Sequence, residues 1–266
     1  MVIKGLGWTF DTVAEEYDKY RPVYVSELYK DIFSYVDLTA ESNVLEIGIG
    51  TGQATQPIIE TGCNLIAIEL GEKLAEITRK NFKEYTNIKV ENLSFENYTC
   101  KNSSFDFIYS ASAFHWINEE EGYNKVYKIL KGNGVFARFA SHPFTNIEGQ
   151  EELFEKTQWI YFKYMPNPLG LTAPKALKRY KEEDAERRSD IAKKYGFSDI
   201  QTKVYYRDLT FTSDEYINRL GIESDKIALP SDVRTKFLHE FKNAIDEHGG
   251  KFTVRDMIDL NLARKL

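Results

Sequence analysis

Apolar and polar positions alternate along this chain in two rhythms. Over residues 12–33, Val13, Tyr17, Tyr20, Val23, Leu28 and Ile32 recur at roughly helical spacing and Arg21-Pro22 interrupts them, which predicts two short helices with a bend at Pro22. A short apolar run over 44–47 predicts a buried strand. Gly48, Gly50 and Gly52 then allow a tight turn into a helix over 53–60, with Pro57 in its first turn. Further strands are predicted at 65–68, 88–90, 105–109 and 135–140, with amphipathic helices over 72–82 and 119–130. Strands that take turns with helices through residue 140 predict an α/β fold, a mostly parallel sheet with helices on both faces.

After residue 140 the rhythm changes. Ser141-His142-Pro143 reads as a break, residues 150–164 as an aromatic-rich helix, and Pro166, Pro168 and Pro174 as a loop before the charged run 181–194. An inserted helical cap between two sheet strands accounts for this region. Beyond Gly196-Phe197, a strand over 200–211, a helix over 213–220 capped by Ser213, a longer helix over 231–247 and a returning hairpin strand over 252–263 follow. The expected organisation is an N-terminal helical lid (1–35), a cofactor-binding core (36–140), the cap (141–195) and a C-terminal completion of the sheet (196–266).

Composition narrows the function classes. The 266 residues are 42% hydrophobic, enough for a sizeable core, and 35 basic against 41 acidic residues give a net charge of −6 with no overall attraction for nucleic acid. The local basic cluster Lys175, Lys178, Arg179 and Lys181 runs directly into acidic residues 182–186, as on a solvated helix with mixed ion pairs. Cys63 and Cys100 form no metal-ligand or CxxC pattern, and no segment reads as a signal peptide or membrane span. The expectation is a cytoplasmic protein, monomer or homodimer, that holds no metal and contacts neither membrane nor nucleic acid.

The chemistry concentrates on the first two strands. Gly48, Gly50 and Gly52 directly follow a buried strand, where missing side chains let the backbone turn sharply and approach a ligand. Glu46, two residues before Gly48, is placed to hold an amino group or to order the loop. Glu69 ends the second strand 17 residues beyond Gly52, beside the same crevice, and its carboxylate suits a pair of ribose hydroxyls. Asn92 follows the third strand, where its amide meets an adenine edge with Leu93 or Phe95 against the ring; the alternative is a polar turn over 94–97.

Taken together, VLEIGIGTG over 44–52, Glu69, Phe105-Asp106-Phe107-Ile108 leading into Ser110-Ala111-Ser112-Ala113-Phe114-His115-Trp116, and the glycine-flanked strand over 132–139 resemble the class I S-adenosylmethionine-dependent methyltransferases. The lead-in AEEYDKYRP over 14–22 resembles the branch that methylates small molecules, including the trans-aconitate methyltransferase group. The resemblance is strongest over 40–140. It implies a Rossmann-like seven-stranded sheet with the last strand antiparallel and S-adenosylmethionine across the carboxyl ends of the strands. It further implies that the glycine turn approaches the amino-acid part of the cofactor, that Glu69 with Leu70 holds the ribose side, that Asn92, Leu93, Ser94 and Phe95 surround adenine, and that Tyr17, Tyr20 and Arg21 close over the cofactor. Ser110 belongs to the same cofactor set. Where many members carry an acid followed by alanine, this chain has Asn92-Leu93-Ser94.

The acceptor side is open to more than one reading. His115 orients or deprotonates an acceptor, or is hydrogen-bonded in the strand-end loop. Trp116 walls the methyl-transfer site or packs under the cap, and His142 stands at the active face or shapes the cap entrance. Arg138 meets a substrate carboxylate only if the pleat aims it there. The aromatic helix with Phe154, Trp159, Tyr161, Phe162 and Tyr164 forms an acceptor pocket or a cap core. The preferred expectation is methyl transfer to a small molecule. A nicotinamide or nucleotide-sugar enzyme, or a noncatalytic S-adenosylmethionine-binding protein, are the alternatives.

Overall fold

The computed structural model describes residues 7–167, 170–174 and 179–266; Pro168, Lys175 and Lys178, named above, lie outside the described residues. A 3-10 turn over Gly7–Val13 leads into α1 (Ala14–Tyr20) and, past the bend at Arg21-Pro22, α2 (Ser26–Tyr35). Then follow β1 (Asn43–Ile47), α3 (Gln56–Ile59), β2 (Asn64–Glu69), α4 (Glu72–Asn81), β3 (Ile88–Asn92), β4 (Phe105–Ala111), α5 (Glu119–Ile129) and β5 (Leu130–Phe144). The rest comprises α6 (Glu151–Tyr164), α7 (Glu182–Lys194), β6 (Ser198–Thr212), α8 (Ser213–Gly221), α9 (Ser224–Ile227), α10 (Ser231–Glu247) and β7 (Lys251–Arg264).

The seven strands form one sheet in the order β3-β2-β1-β4-β5-β7-β6. Pairing is parallel from β3 to β5, and β7 runs antiparallel to both β5 and β6. Alternate residues of the central strands serve opposite cores, as the two-residue pleat requires. Val44, Phe107, Tyr109, Val135, Ala137 and Phe139 pack with Leu28, Ile32 and Ile58 from α2 and α3. Leu45, Ile47, Ile108 and Phe136 pack on the other face with Tyr123, Val126 and Ile129 of α5 and Ala192 of α7.

Three features depart from the sequence reading. Ser141-His142-Pro143 is no break, because β5 continues through Phe144 in register with β7. The Ser141 amide faces β4, where it meets Ser112 Oγ at 3.4 Å. Pro143, two residues on, has its missing N–H on that same side, which β4 has left after Ala111, so no ladder bond is lost. Secondly, Thr212 rather than Ser213 caps α8: its hydroxyl accepts from the Glu215 amide, and Glu215 Oε2 accepts from the Thr212 amide at 2.8 Å. Thirdly, the charged run over 181–194 forms α7, which lies on β6 and β7 as a sheet-covering helix.

The extra length of β5, β6 and β7 positions the site. At 14 or 15 residues each they run roughly 45–50 Å, against five residues for β1. They overshoot the carboxyl edge of the parallel strands. On this overhang a third core forms, with Leu153 and Ile160 of α6, Tyr216 and Leu220 of α8, and Phe237 and Phe241 of α10 packed on Phe252 and Val254. No helix among the described residues is long and apolar enough to cross a membrane.

Candidate active site

A cavity of about 790 Å³ opens at the carboxyl ends of β1, β2, β4 and β5, between the N-terminal segment and the overhang. That volume lies within the roughly 300–1,000 Å³ usual for a small-ligand site. Its floor is the glycine turn. Gly48 and Gly50 take φ of +74° and +63°, and a Cβ at Gly48 would be driven into the Ala113 methyl. Bonds from the Gly48 and Ile49 amides to the Ile68 carbonyl, 2.9 and 3.1 Å, hold the turn against β2.

Glu69 ends β2 with a side chain that bridges two loops. Its Oε2 accepts from the Gly50 amide at 2.8 Å and its Oε1 from the Gly71 amide at 2.9 Å. Burial, which leaves the residue 7% exposed, pushes its pKa up despite these bonds. The carboxylate thus stands at the cavity wall with lone pairs to spare. Leu70, Leu93, Ser94 and Phe95 line the neighbouring wall, and Tyr17, Arg21, Phe10 and Trp116 cover the opposite side. Phe10 meets Tyr17 and Trp116 edge-on at 5.6 and 6.1 Å.

Several predicted site residues act beside the cavity instead of lining it. Glu46, 0% exposed, accepts from Thr55 Oγ1 and Tyr109 OH, both at 2.7 Å, so of its two expected roles it takes loop ordering. Burial raises its pKa to about 8, against the lowering effect of those two bonds, and its Oε1 has no partner among the described residues. Gly52 abuts the Phe82 ring, which a Cβ would strike, so this glycine serves packing and not ligand approach. Asn92 spends its amide on the Glu69 and Leu70 carbonyls, both at 3.0 Å, fastening β3 to the end of β2. Ser110 Oγ donates to the Ile47 carbonyl at 2.8 Å. Tyr20 lies under the Lys19 ammonium, outside the cavity lining.

On the acceptor side, His115 and Trp116 both line the cavity. His115 keeps a solvent-exposed edge, yet desolvation first, and then the charges of Arg188, Arg138 and Arg21 with the nearby His142, push its pKa down to about 4. Arg138 points away, donating to Tyr123 OH at 2.6 Å under the α5 face. Tyr161 packs on Phe237 and Phe241, and no side chain of α6 lines the cavity, so the aromatic helix builds the third core and not an acceptor pocket.

The far wall comprises residues that periodicity did not reveal: Tyr180, Arg188, Glu223, Ser224 and Asp225. Behind them stand two fully buried acids on β7. Asp256 accepts from Arg207 Nη2 at 2.9 Å and from the Ser141 hydroxyl, while Arg207 also holds the Val23 carbonyl beside the N-terminal bend. Asp259 Oδ1 faces His142 Nε2 at 3.0 Å, and Oδ2 accepts from Arg188 at 2.7 Å and Tyr180 OH at 3.0 Å. Burial works against its charge, but the bond to His142 and the Arg188 guanidinium hold Asp259 below the usual carboxylate range. The only signal in the sequence was two acids inside an otherwise apolar run, Asp256-Met257-Ile258-Asp259-Leu260.

Residues 44–134 match the family model described as a methyltransferase domain. An uncharacterized methyltransferase of Schizosaccharomyces pombe is 22% identical over 97% of this chain and 94% of its own length. Among solved structures, a protein of Anaeromyxobacter dehalogenans, provisionally described as a type II methyltransferase, superposes with a TM-score of 0.62 at 15% identity, over 92% of this chain and 98% of that one. A phosphoethanolamine N-methyltransferase of Haemonchus contortus, in complex with phosphomonomethylethanolamine and S-adenosylhomocysteine, superposes with a TM-score of 0.54 at 16% identity, over 96% of this chain and 57% of that one. The chain is thus similar to methyltransferases, through a domain model over residues 44–134 and through a relative that aligns over nearly its whole length.

Proposed function

We propose that this enzyme methylates a small-molecule acceptor held between His115, Trp116 and the β5–β7 overhang. The observation that carries the donor side of this reading is the Glu69 bridge to Gly50 and Gly71. A carboxylate already occupies the amide of the glycine turn, and α3 is only four residues long, so a pyrophosphate there would meet an anion with no helix dipole to offset it. Ribose hydroxyls, by contrast, find in Glu69 a charged acceptor. This disfavours the nicotinamide and nucleotide-sugar readings.

In the proposed arrangement Gly48 and Gly50 pass close to the amino-acid part of the donor, Leu70 and Leu93 to Phe95 enclose adenine, and Tyr17, Arg21 and Phe10 close over it. Residues 7–35 act as a lid. S-adenosylmethionine supplies a methyl group made electrophilic by its sulfonium. The chain's own task is to exclude water and align the acceptor, for which Trp116, Phe10 and Tyr180 offer the walls. The AEEYDKYRP lead-in supports a small-molecule acceptor.

Calorimetric titration of S-adenosylmethionine, S-adenosylhomocysteine and NAD against the purified protein tests the donor. Binding of the first two and not of NAD is expected; the reverse order overturns the reading. A mass-spectrometric screen of small-molecule mixtures for the gain of one methylene then identifies the acceptor, and a donor-binding protein that methylates nothing in such a screen favours the noncatalytic alternative.

A further inference from the structure

The far wall of the cavity contains a histidine whose tautomer is fixed from behind. Asp259 is 0% exposed and accepts five contacts: from His142, from the Ala140 amide at 3.1 Å, from Tyr180 OH, and twice from Arg188 Nη1, at 3.0 and 2.7 Å. An ionised carboxylate only accepts, so the His142 nitrogen facing it, Nε2, carries the hydrogen. The neutral ring therefore bears its lone pair on Nδ1, which has no hydrogen bond among the described residues, and His142 lines the cavity. Tyr180 stacks flat on the ring, 3.6 Å between centroids and 8° between planes, which prevents it from swinging.

We infer that His142 is the general base of methyl transfer, that Asp259 is its positioning residue, and that the acceptor is accordingly a molecule reaching the site with its proton still in place, a hydroxyl or an ammonium. This rests on the methyltransferase reading above. The two histidines of the cavity divide by their surroundings: His115 lies near Arg188, Arg138 and Arg21 with no carboxylate bonded to it among the described residues, whereas His142 has Asp259. Arg188 neutralises much of the Asp259 charge, so Asp259 acts by fixing tautomer and ring orientation more than by strengthening the base.

The acceptor's O–H proton passes to His142 Nδ1 as an oxygen lone pair bonds to the methyl carbon; an ammonium gives up its N–H proton first, and the electron pair left on nitrogen forms that bond. The carbon–sulfur bond breaks, its electron pair stays on sulfur, and the imidazolium returns its proton to solvent. An acceptor carboxylate, already ionised, would have no use for this base.

With only four histidines in the chain, ¹⁵N-histidine labelling resolves each ring, and His142→Gln assigns the signal. The wild-type protein is expected to show a protonated Nε2 and a bare Nδ1 at His142 at pH 8; a protonated Nδ1 in the wild-type spectrum overturns the proposal. Asp259→Asn is expected to reverse the tautomer. With an acceptor from the mass screen, His142→Gln should lower kcat by roughly 10²- to 10⁴-fold while the calorimetric Kd for S-adenosylmethionine stays put, and imidazole should restore turnover to His142→Gly. Unchanged kcat, or methylation confined to carboxylates, overturns it. Wild-type protein that fails to bind S-adenosylmethionine instead overturns the methyltransferase reading on which the proposal rests.

Discussion

Gly48 lies against Ala113 with no space for a side chain between them, so the glycine turn after β1 and the loop after β4 meet backbone to methyl on the cavity floor. This contact sets the position of the segment that carries His115 and Trp116 relative to the turn. Gly48→Ala has to push Ala113 away and adopt an unfavourable positive φ, at a cost of about 1–3 kcal/mol. Urea unfolding should report that loss, and S-adenosylmethionine affinity should fall with it. Full retention of both would show that the turn is not packed as described.

The Glu69 bridge predicts a separable effect on the donor. Glu69→Ala removes charged hydrogen bonds worth about 1.5–3 kcal/mol, so S-adenosylmethionine should bind roughly 10- to 150-fold more weakly by calorimetry. Glu69→Gln, which keeps one acceptor oxygen, should fall between. An affinity equal to wild type would reject Glu69 as the ribose ligand.

Glu46 should make stability depend on pH in an unusual direction. Its pKa of about 8 in the folded chain lies above that of an unfolded glutamate, so between pH 4.5 and 8 the folded state binds the extra proton. Stability from this group is therefore full below the unfolded value and is lost as pH rises through 8. Glu46→Gln, neutral at every pH, should flatten the urea midpoint across pH 5–9 and be relatively more stable at the alkaline end. A slope identical to wild type would count against it.

For His115 the low pKa predicts a negative result. With its imidazole neutral throughout pH 6–9, no limb of the kcat/KM profile in that range belongs to it. His115→Gln should change the magnitude of the rate through lost contacts and leave the shape of the profile as it was. A limb that disappears in this variant would reassign the base to His115.

Much of this architecture was legible in the sequence because local pattern and global position agree. The runs over 44–47 and 65–68 are buried on both faces and bounded by turn residues, so their strands, the glycine turn and Glu69 followed directly. The N-terminal bend at Pro22 was equally local. What escaped was set by distant partners: β5 continues through Pro143 only because β4 has ended and β7 lies alongside, and α7 covers the sheet only because β6 and β7 run beneath it. Asn92, Ser110 and Gly52 stand in the right stretch of sequence, yet their donors or their open face are consumed by Glu69, Ile47 and Phe82. Asp259 stood out only as an acid in an apolar run, and its meaning depends on His142, 117 residues earlier.

The placement of β7 has a consequence for how the enzyme comes into being. It follows β6 in sequence but lies between β5 and β6, so those two strands share no partner until residues 251–264 have been made. The strands that carry the glycine turn and Glu69, by contrast, pair among themselves and need nothing from β7. The cavity wall fastened to Asp256 and Asp259 can therefore be completed only after β7 has paired with β5.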